Sequence, residues 1–247
     1  MKSYIKRFLQ FILGFERYLF YFSRYIAGSL HRNKREGDFI AFVKLLKDGE
    51  TVLDIGANIG AMSVYLAKHL PHSRIIAFEP IPVNVRVFKK VIQHYKLSNV
   101  ELIEKALGER DGMIEMVLPN QKHVKMHGLC HVVHESITEL NDGDRFQLPM
   151  VRLDAVEEVQ SAGRISGIKI DVENYEQFVL TGAKEVIEKN RPVIYAELWE
   201  NENRNQCFRF ITELGYQIHV LSDQRLVPFD AGVHHQQNFF FIPSDRS

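Results

Sequence analysis

Thr51-Val-Leu-Asp-Ile-Gly-Ala-Asn-Ile-Gly60 is the stretch on which the fold of this chain turns. A β-favouring run ends at Gly56, and Gly60–Leu70 then has the pattern of a helix stopped by Pro71. The same alternation recurs downstream. Arg74–Phe78 reads as a second strand and Val83–Tyr95 as a second helix, with Pro82 suited to its first turn. Val100–Glu104 is a third strand, Ile165–Asp171 a fourth, and a helix should run from about Tyr175 to Lys189. Pro192–Glu197, Tyr216–Leu221 and Asn238–Ile242 complete seven strands, with a helix over Asn201–Leu214. Strands alternating with helices predict an α/β fold whose mostly parallel sheet is covered on both faces. No helix separates the last two strands, so an antiparallel pair is expected at that edge. Between residues 105 and 165 the alternation lapses into a polar, His-rich stretch flanked by strand-like Gly112–Leu118 and Met150–Leu153. Connections of that length are usually functional, and a lid over the crevice is the natural expectation.

Glycines at a strand-to-helix turn let a ligand approach the backbone, and the helix beyond offers unpaired N–H groups. Glu79 closes the second strand, where an acid can accept the hydroxyl hydrogens of a ribose. These features point to an adenosine-bearing ligand at the carboxyl ends of the strands. A dinucleotide fold would place its middle glycine where this chain has Asn58, and Asp54 would repel a pyrophosphate. Beside the cationic sulfonium and amino groups of S-adenosylmethionine the same carboxylate is favourable. The cofactor candidates are therefore Asp54, Gly56, Asn58, Gly60 and Glu79, together with Ala106 just past the third strand. The blander reading is that Gly56 and Gly60 only permit a tight turn.

Val52–Gly60, Ala77-Phe-Glu-Pro80, Ile168-Lys-Ile-Asp-Val-Glu173 and Val179-Leu-Thr-Gly-Ala183 together resemble the FkbM family of S-adenosylmethionine-dependent methyltransferases. Pro192–Glu197, Leu214-Gly-Tyr216 and Asn238–Pro243 extend the resemblance, which covers about residues 50–243. It implies the seven-stranded, Rossmann-like methyltransferase sandwich and an acceptor hydroxyl on a sugar, glycan or secondary metabolite. The family usually has Gly where this chain has Asn174; Asn tolerates a left-handed backbone, so the turn should persist. A catalytically silent methyltransferase-like module and an NAD-binding oxidoreductase are the alternatives.

Methyl transfer from a sulfonium is an in-line displacement, so alignment is its main demand, and an alcohol also needs a base. Asp171, ending the fourth strand, should lie near the methyl group and acceptor, and Glu173 should serve as acceptor ligand or base. Either could instead cap the helix that follows. Lys169 fits a strand residue paired with a neighbouring acid, Glu197 ends the fifth strand at the same rim, and Trp199 could stack on a sugar. His123, His127, His131 and His134 would share a face on a helix, but their spacing matches no closed metal site, so no metal is expected. One of them could act as the base.

The chain has 247 residues, 45% hydrophobic and 25% charged, which excludes wholesale disorder and fibrous classes. Its 31 basic and 31 acidic residues balance, yet residues 1–35 hold eight basic residues against the single acid Glu16. That leaves +7 on an N-terminal arm and −7 on residues 36–247, the methyltransferase domain. Within the arm, heptad positions a, d and g from Tyr4 to Ile26 are all apolar or aromatic, predicting one amphipathic helix. Arg7, Glu16, Arg17 and Arg24 interrupt any membrane span, and a signal peptide fits poorly. Residues 4–30 could pack on the body or a second copy, lie on an anionic membrane, or contact nucleic acid, for which no recognisable module is present. Two cysteines, Cys130 and Cys207, make no disulfide framework. The expected compartment is the cytoplasm, at a membrane surface if the arm binds one.

Overall fold

A computed structural model describes residues 2–121, 124–134, 137 and 140–246. Two helices, α1 (Lys2–Leu13) and α2 (Phe15–Ser29), precede α3 (Gly37–Leu45). The central alternation is β1 (Thr51–Ile55), α4 (Ala61–His69), β2 (Ile75–Phe78), α5 (Pro82–Tyr95) and β3 (Val100–Ile103). An inserted arm follows: β4 (Ala106–Leu107), β5 (Gly112–Gln121), β6 (Val124–Lys125), β7 (His131–Val132) and β8 (Gly143–Val151). The chain returns through α6 (Glu157–Gln160), β9 (Ile165–Ile170), α7 (Glu176–Thr181), α8 (Lys184–Asn190), β10 (Val193–Glu197) and α9 (Glu202–Glu213). It ends with β11 (Tyr216–Ser222), β12 (Arg225–Pro228) and β13 (Asn238–Pro243).

The main sheet runs β12-β11-β13-β10-β9-β1-β2-β3. β3, β2, β1, β9 and β10 are mutually parallel, and β13, β11 and β12 join antiparallel. Every residue of β1, β2 and β9 is buried, as strands covered by helices on both faces require. The expected antiparallel edge is the β11–β13 pair, and β12 adds an eighth strand that its short turn hid from periodicity. Strand order reverses between β1 and β9, which opens a crevice at their carboxyl ends.

Three expectations change. The segment after β3 is a small second sheet in which β8 begins at Gly143, not Met150, and pairs along β5. The helix expected over 175–189 is two helices. Gly182 is seated so tightly that a Cβ would lie 1.9 Å from the Gly108 carbonyl oxygen, and the Asp154 carboxylate then accepts from the N–H groups of Glu185 and Val186 at the start of α8. The N-terminal helix is also divided, at Gly14 with φ 73°. The heptad stripe therefore does not form one seam: α2 buries Tyr18, Leu19 and Ser23, whereas Phe8, Phe11 and Ile12 of α1 stay exposed.

Candidate functional site

The β1–α4 turn closes over the crevice because two glycines let it. Gly56 has φ 75°, and a Cβ on it would sit 1.9 Å from the Asp171 carbonyl oxygen, so only glycine allows β1 and β9 to converge here. Gly60 has φ 79° and abuts the Phe88 ring of α5. Its role is packing, and it does not line the crevice. Asp54 lies beneath the floor, fully buried, with Ser63 Oγ donating to Oδ2 at 2.5 Å and Lys169 Nζ 3.2 Å from Oδ1. It too is absent from the lining. Gly56, Asn58, Glu79 and Ala106 do line the space, as do Asp171 and Glu173.

Glu79 is 4% exposed. Its Oε2 accepts from the Asn58 N–H at 2.8 Å; Oε1 accepts from the Ile81 N–H at 2.9 Å and from Asn84 Nδ2 at 3.2 Å. A carboxylate has about four acceptor positions. Three are thus filled within the chain. Burial pushes its carboxyl up to about 7 despite those bonds.

Lys169 joins the two sides. It is 3% exposed, donates to the carbonyls of Ile55 (3.3 Å) and Gly56 (2.9 Å), and lies 3.7 Å from Asp171 Oδ2 as well as beside Asp54. Burial alone would lower its ammonium, but attraction to Asp54 and Asp171 outweighs that and holds it above its ordinary value. Lys169 therefore does pair with neighbouring acids, and it couples the floor to the rim.

Acids crowd the far wall. Burial, then repulsion from Asp171 and Glu197, lifts Glu173 to about 9. Glu197 is raised by burial and by Asp171, and Glu36, from the N-terminal segment, by burial, Asp171 and Asp38. Glu173 and Asn174 have φ of 54° and 74°, a left-handed pair that needs outside support. Glu176 Oε1 supplies it by accepting from the N–H groups of Val172 (3.0 Å) and Asn174 (3.2 Å). Asn201 Nδ2 donates to Asn174 Oδ1 at 2.7 Å, and Asn203 Nδ2 to the Asn174 carbonyl at 2.9 Å. Glu173 does not cap α7, which has no side-chain cap, and Glu176, which burial lifts to about 8, instead holds the turn before it.

The arm roofs the crevice with Met116, Gly128, Cys130 and Val132. Tyr175, at the lining, stacks on Phe178 with ring centroids 4.4 Å apart, and His134 lies 4.9 Å from Phe178.

A family model, the methyltransferase FkbM domain, matches residues 54–218. The chain belongs to the FkbM methyltransferase family. Methyltransferase 1 of Beauveria bassiana is 27% identical over 149 residues, 55% of this chain and 59% of that protein. Methyltransferase sdnD of Sordaria araneosa is 26% identical over 195 residues, 68% of this chain and 73% of its own length. The AMB antimetabolite synthetase AmbE of Pseudomonas aeruginosa is 30% identical over 169 residues, 56% of this chain but 8% of the synthetase. The crystal structure of methyltransferase FkbM from Methylobacillus flagellatus KT superposes with a TM-score of 0.54 at 17% identity. It is covered for 45% of its length by 80% of this chain, so the likeness is one of fold.

Within this FkbM domain the turn after Val172-Glu173 keeps its left-handed form with Asn174 in place of glycine. The histidines do not share a helix. His123 lies outside the described residues, His127 is on a 3-10 turn, and His131 is a buried β7 residue whose ring nitrogens meet the Leu129 carbonyl and Asn141 Oδ1. His134 stands beside the crevice residue Tyr175, with ring centroids 5.9 Å apart. Glu36, Asn84, Cys130, Tyr175 and Glu176 entered the FkbM site unannounced by the sequence reading. Asn84 follows the Glu79 strand end and sits in the first turn of the helix begun by Pro82, which could have marked it; nothing local marks Glu36 or Cys130.

Proposed function

We propose that this chain transfers the methyl group of S-adenosylmethionine to a hydroxyl of a sugar, glycan or secondary metabolite. The observation that carries this reading is the crevice itself: Gly56, Asn58, Glu79 and Ala106 on one wall face Asp171 and Glu173 on the other. The donor set fits a cation. Lys169 is already engaged by Asp54, so the negative charge of Asp171 and Glu197, which pushes Glu173 toward its protonated form, is what a sulfonium and an ammonium would relieve. Gly56, Asn58, Glu79 and Ala106 would hold the nucleoside part, and the bound cofactor supplies a methyl group on a positively charged sulfur.

Glu173 holds its proton at neutral pH in the ligand-free chain. A positive charge beside Asp171 favours its carboxylate, which then takes the hydroxyl proton as the acceptor oxygen gains its bond to carbon. Asp171 orients the acceptor from the next position on the rim. The Tyr175–Phe178 stack offers an apolar face for a ring. That a 30%-identical stretch occurs in an antimetabolite synthetase supports a small-molecule acceptor.

Isothermal titration with S-adenosylhomocysteine tests the cofactor. Glu79→Gln should weaken binding about tenfold or more, the worth of one charge-assisted hydrogen bond. Glu173→Gln should leave that affinity standing while labelled-methyl transfer to hydroxylated acceptors falls about a hundredfold. Equal affinity of wild type and Glu79→Gln, or undiminished transfer by Glu173→Gln, would overturn the assignment.

A further inference from the structure

The N-terminal helices divide their apolar residues between two destinations. α2 turns inward: Leu19 is fully buried, and Ser23 Oγ donates to the Ile59 carbonyl at 2.9 Å. α1 keeps its apolar stripe outside. Phe8 is 62% exposed, Phe11 86% and Ile12 60%, and these positions, at i, i+3 and i+4, fall on one helix face. Leu9 borders the stripe, and Tyr21 and Tyr25 add exposed aromatic surface on α2. A surface so rich in large apolar side chains calls for a partner.

The charge around it says which. Arg7, Arg17 and Arg24 are exposed on the same pair of helices. The one carboxylate of the first 35 residues, Glu16, is already held by two cations of α5, Arg86 at 2.6 Å and Lys90 at 3.1 Å. It therefore does not offset the exposed arginines. A second copy of this surface would set like charges face to face, and nucleic acid, whose bases could stack on Phe8 and Phe11, would leave Ile12 and Leu9 without an apolar partner. An anionic bilayer answers both, with acyl chains for the aromatics and head groups for the guanidinium tips. No described helix is long and apolar enough to cross a membrane, which fits a helix lying in the interface.

We propose that α1 docks on an anionic membrane, with Phe8, Phe11 and Ile12 inserted at the acyl boundary and Arg7 and Arg17 at the head groups. The surface sits beside the crevice. Gln10 Nε2 donates to the Lys125 carbonyl of the arm at 3.3 Å, and Ser23 anchors α2 to the loop between β1 and α4. Docking there sets the carboxyl end of the sheet, where acceptors enter, close to the bilayer.

Co-sedimentation of the full chain tests this, using vesicles of phosphatidylcholine alone or mixed with phosphatidylserine. Partition onto the mixed vesicles should be about tenfold stronger or more, because each basic residue near an anionic surface adds about a fivefold factor. Phe8→Ser/Phe11→Ser/Ile12→Ser and, separately, Arg7→Gln/Arg17→Gln should each lower it by about tenfold. Melting temperatures should not move, since the replaced side chains are exposed. Equal pelleting with both vesicles, pelleting with neither, or undiminished pelleting of either variant overturns the proposal. So does a wild-type dimer in sedimentation equilibrium that the triple variant dissolves while vesicles bind neither protein.

Discussion

The two walls of the crevice carry the same kind of residue and differ in how its charge is answered. On the β1–β2 side, Asp54 has Ser63 and Lys169, and Glu79 accepts three hydrogen bonds from Asn58, Ile81 and Asn84. On the β9–β10 side, Asp171 and Glu197 raise the Glu173 carboxyl and Asp171 raises that of Glu197; Lys169, whose attraction opposes both shifts, lies within ion-pair distance of Asp171. Left-handed non-glycine backbone occurs on both walls, at Asn58 (φ 52°) on the first and at the adjacent pair Glu173–Asn174 on the second. A satisfied wall is a rigid seat. A wall with unanswered charge has energy to gain from a cationic ligand, which is why the proposed chemistry is assigned to it.

The contrast breaks most severely at Lys169, which serves both walls. Lys169→Met leaves Asp54 buried without its cation and should lower the unfolding free energy by about 3–5 kcal/mol, read by urea denaturation. A loss under about 1 kcal/mol would mean that the walls are not coupled through this residue.

A pH series gives the next largest effect. Burial raises the carboxyls of Glu173, Glu176 and Glu197 above the ordinary range, so the folded state holds their protons more tightly than the unfolded chain does. The stability they contribute is complete below the usual carboxylate pKa of 4.5 and is lost as pH rises through the folded values, about 8 for Glu176. The melting temperature of the ligand-free protein should therefore fall from pH 5 toward pH 9. Glu173→Gln should flatten that fall, and identical slopes would remove Glu173 from the charged wall.

Asn174→Gly should have the smallest effect. Glycine relieves the positive φ but gives up the 2.7 Å bond from Asn201, so the two changes offset to within about 1 kcal/mol. A larger loss in denaturant would show that the turn depends more on the Asn201 bond to the Asn174 side chain than on the Asn203 bond to its carbonyl.

The sequence reading placed the parallel strands and the crevice because β1, β2, β9 and β10 are buried on both faces and read as continuous apolar runs. It found Gly56, Asn58, Glu79 and Ala106, which line the crevice, by their places at strand ends. It could not separate them from Asp54 and Gly60, which sit at equally suggestive spacings but face the floor and α5. Short strands such as β6 and β7 have too few residues for a period, and the break at Gly182 depends on the Gly108 backbone that it meets.

Local pattern by itself determined the layered α/β architecture, the loop that meets the ligand and the uneven spread of charge along the chain. Those features depend on periodicity, turn chemistry and composition, which a linear string carries. Tertiary structure alone decided that Lys169 answers Asp54, that Glu36 reaches the rim near Asp171, and that α2 turns inward while α1 stays bare. Burial and charge pairing are properties of neighbours distant in sequence, so they become definite only when the sheet brings those neighbours together.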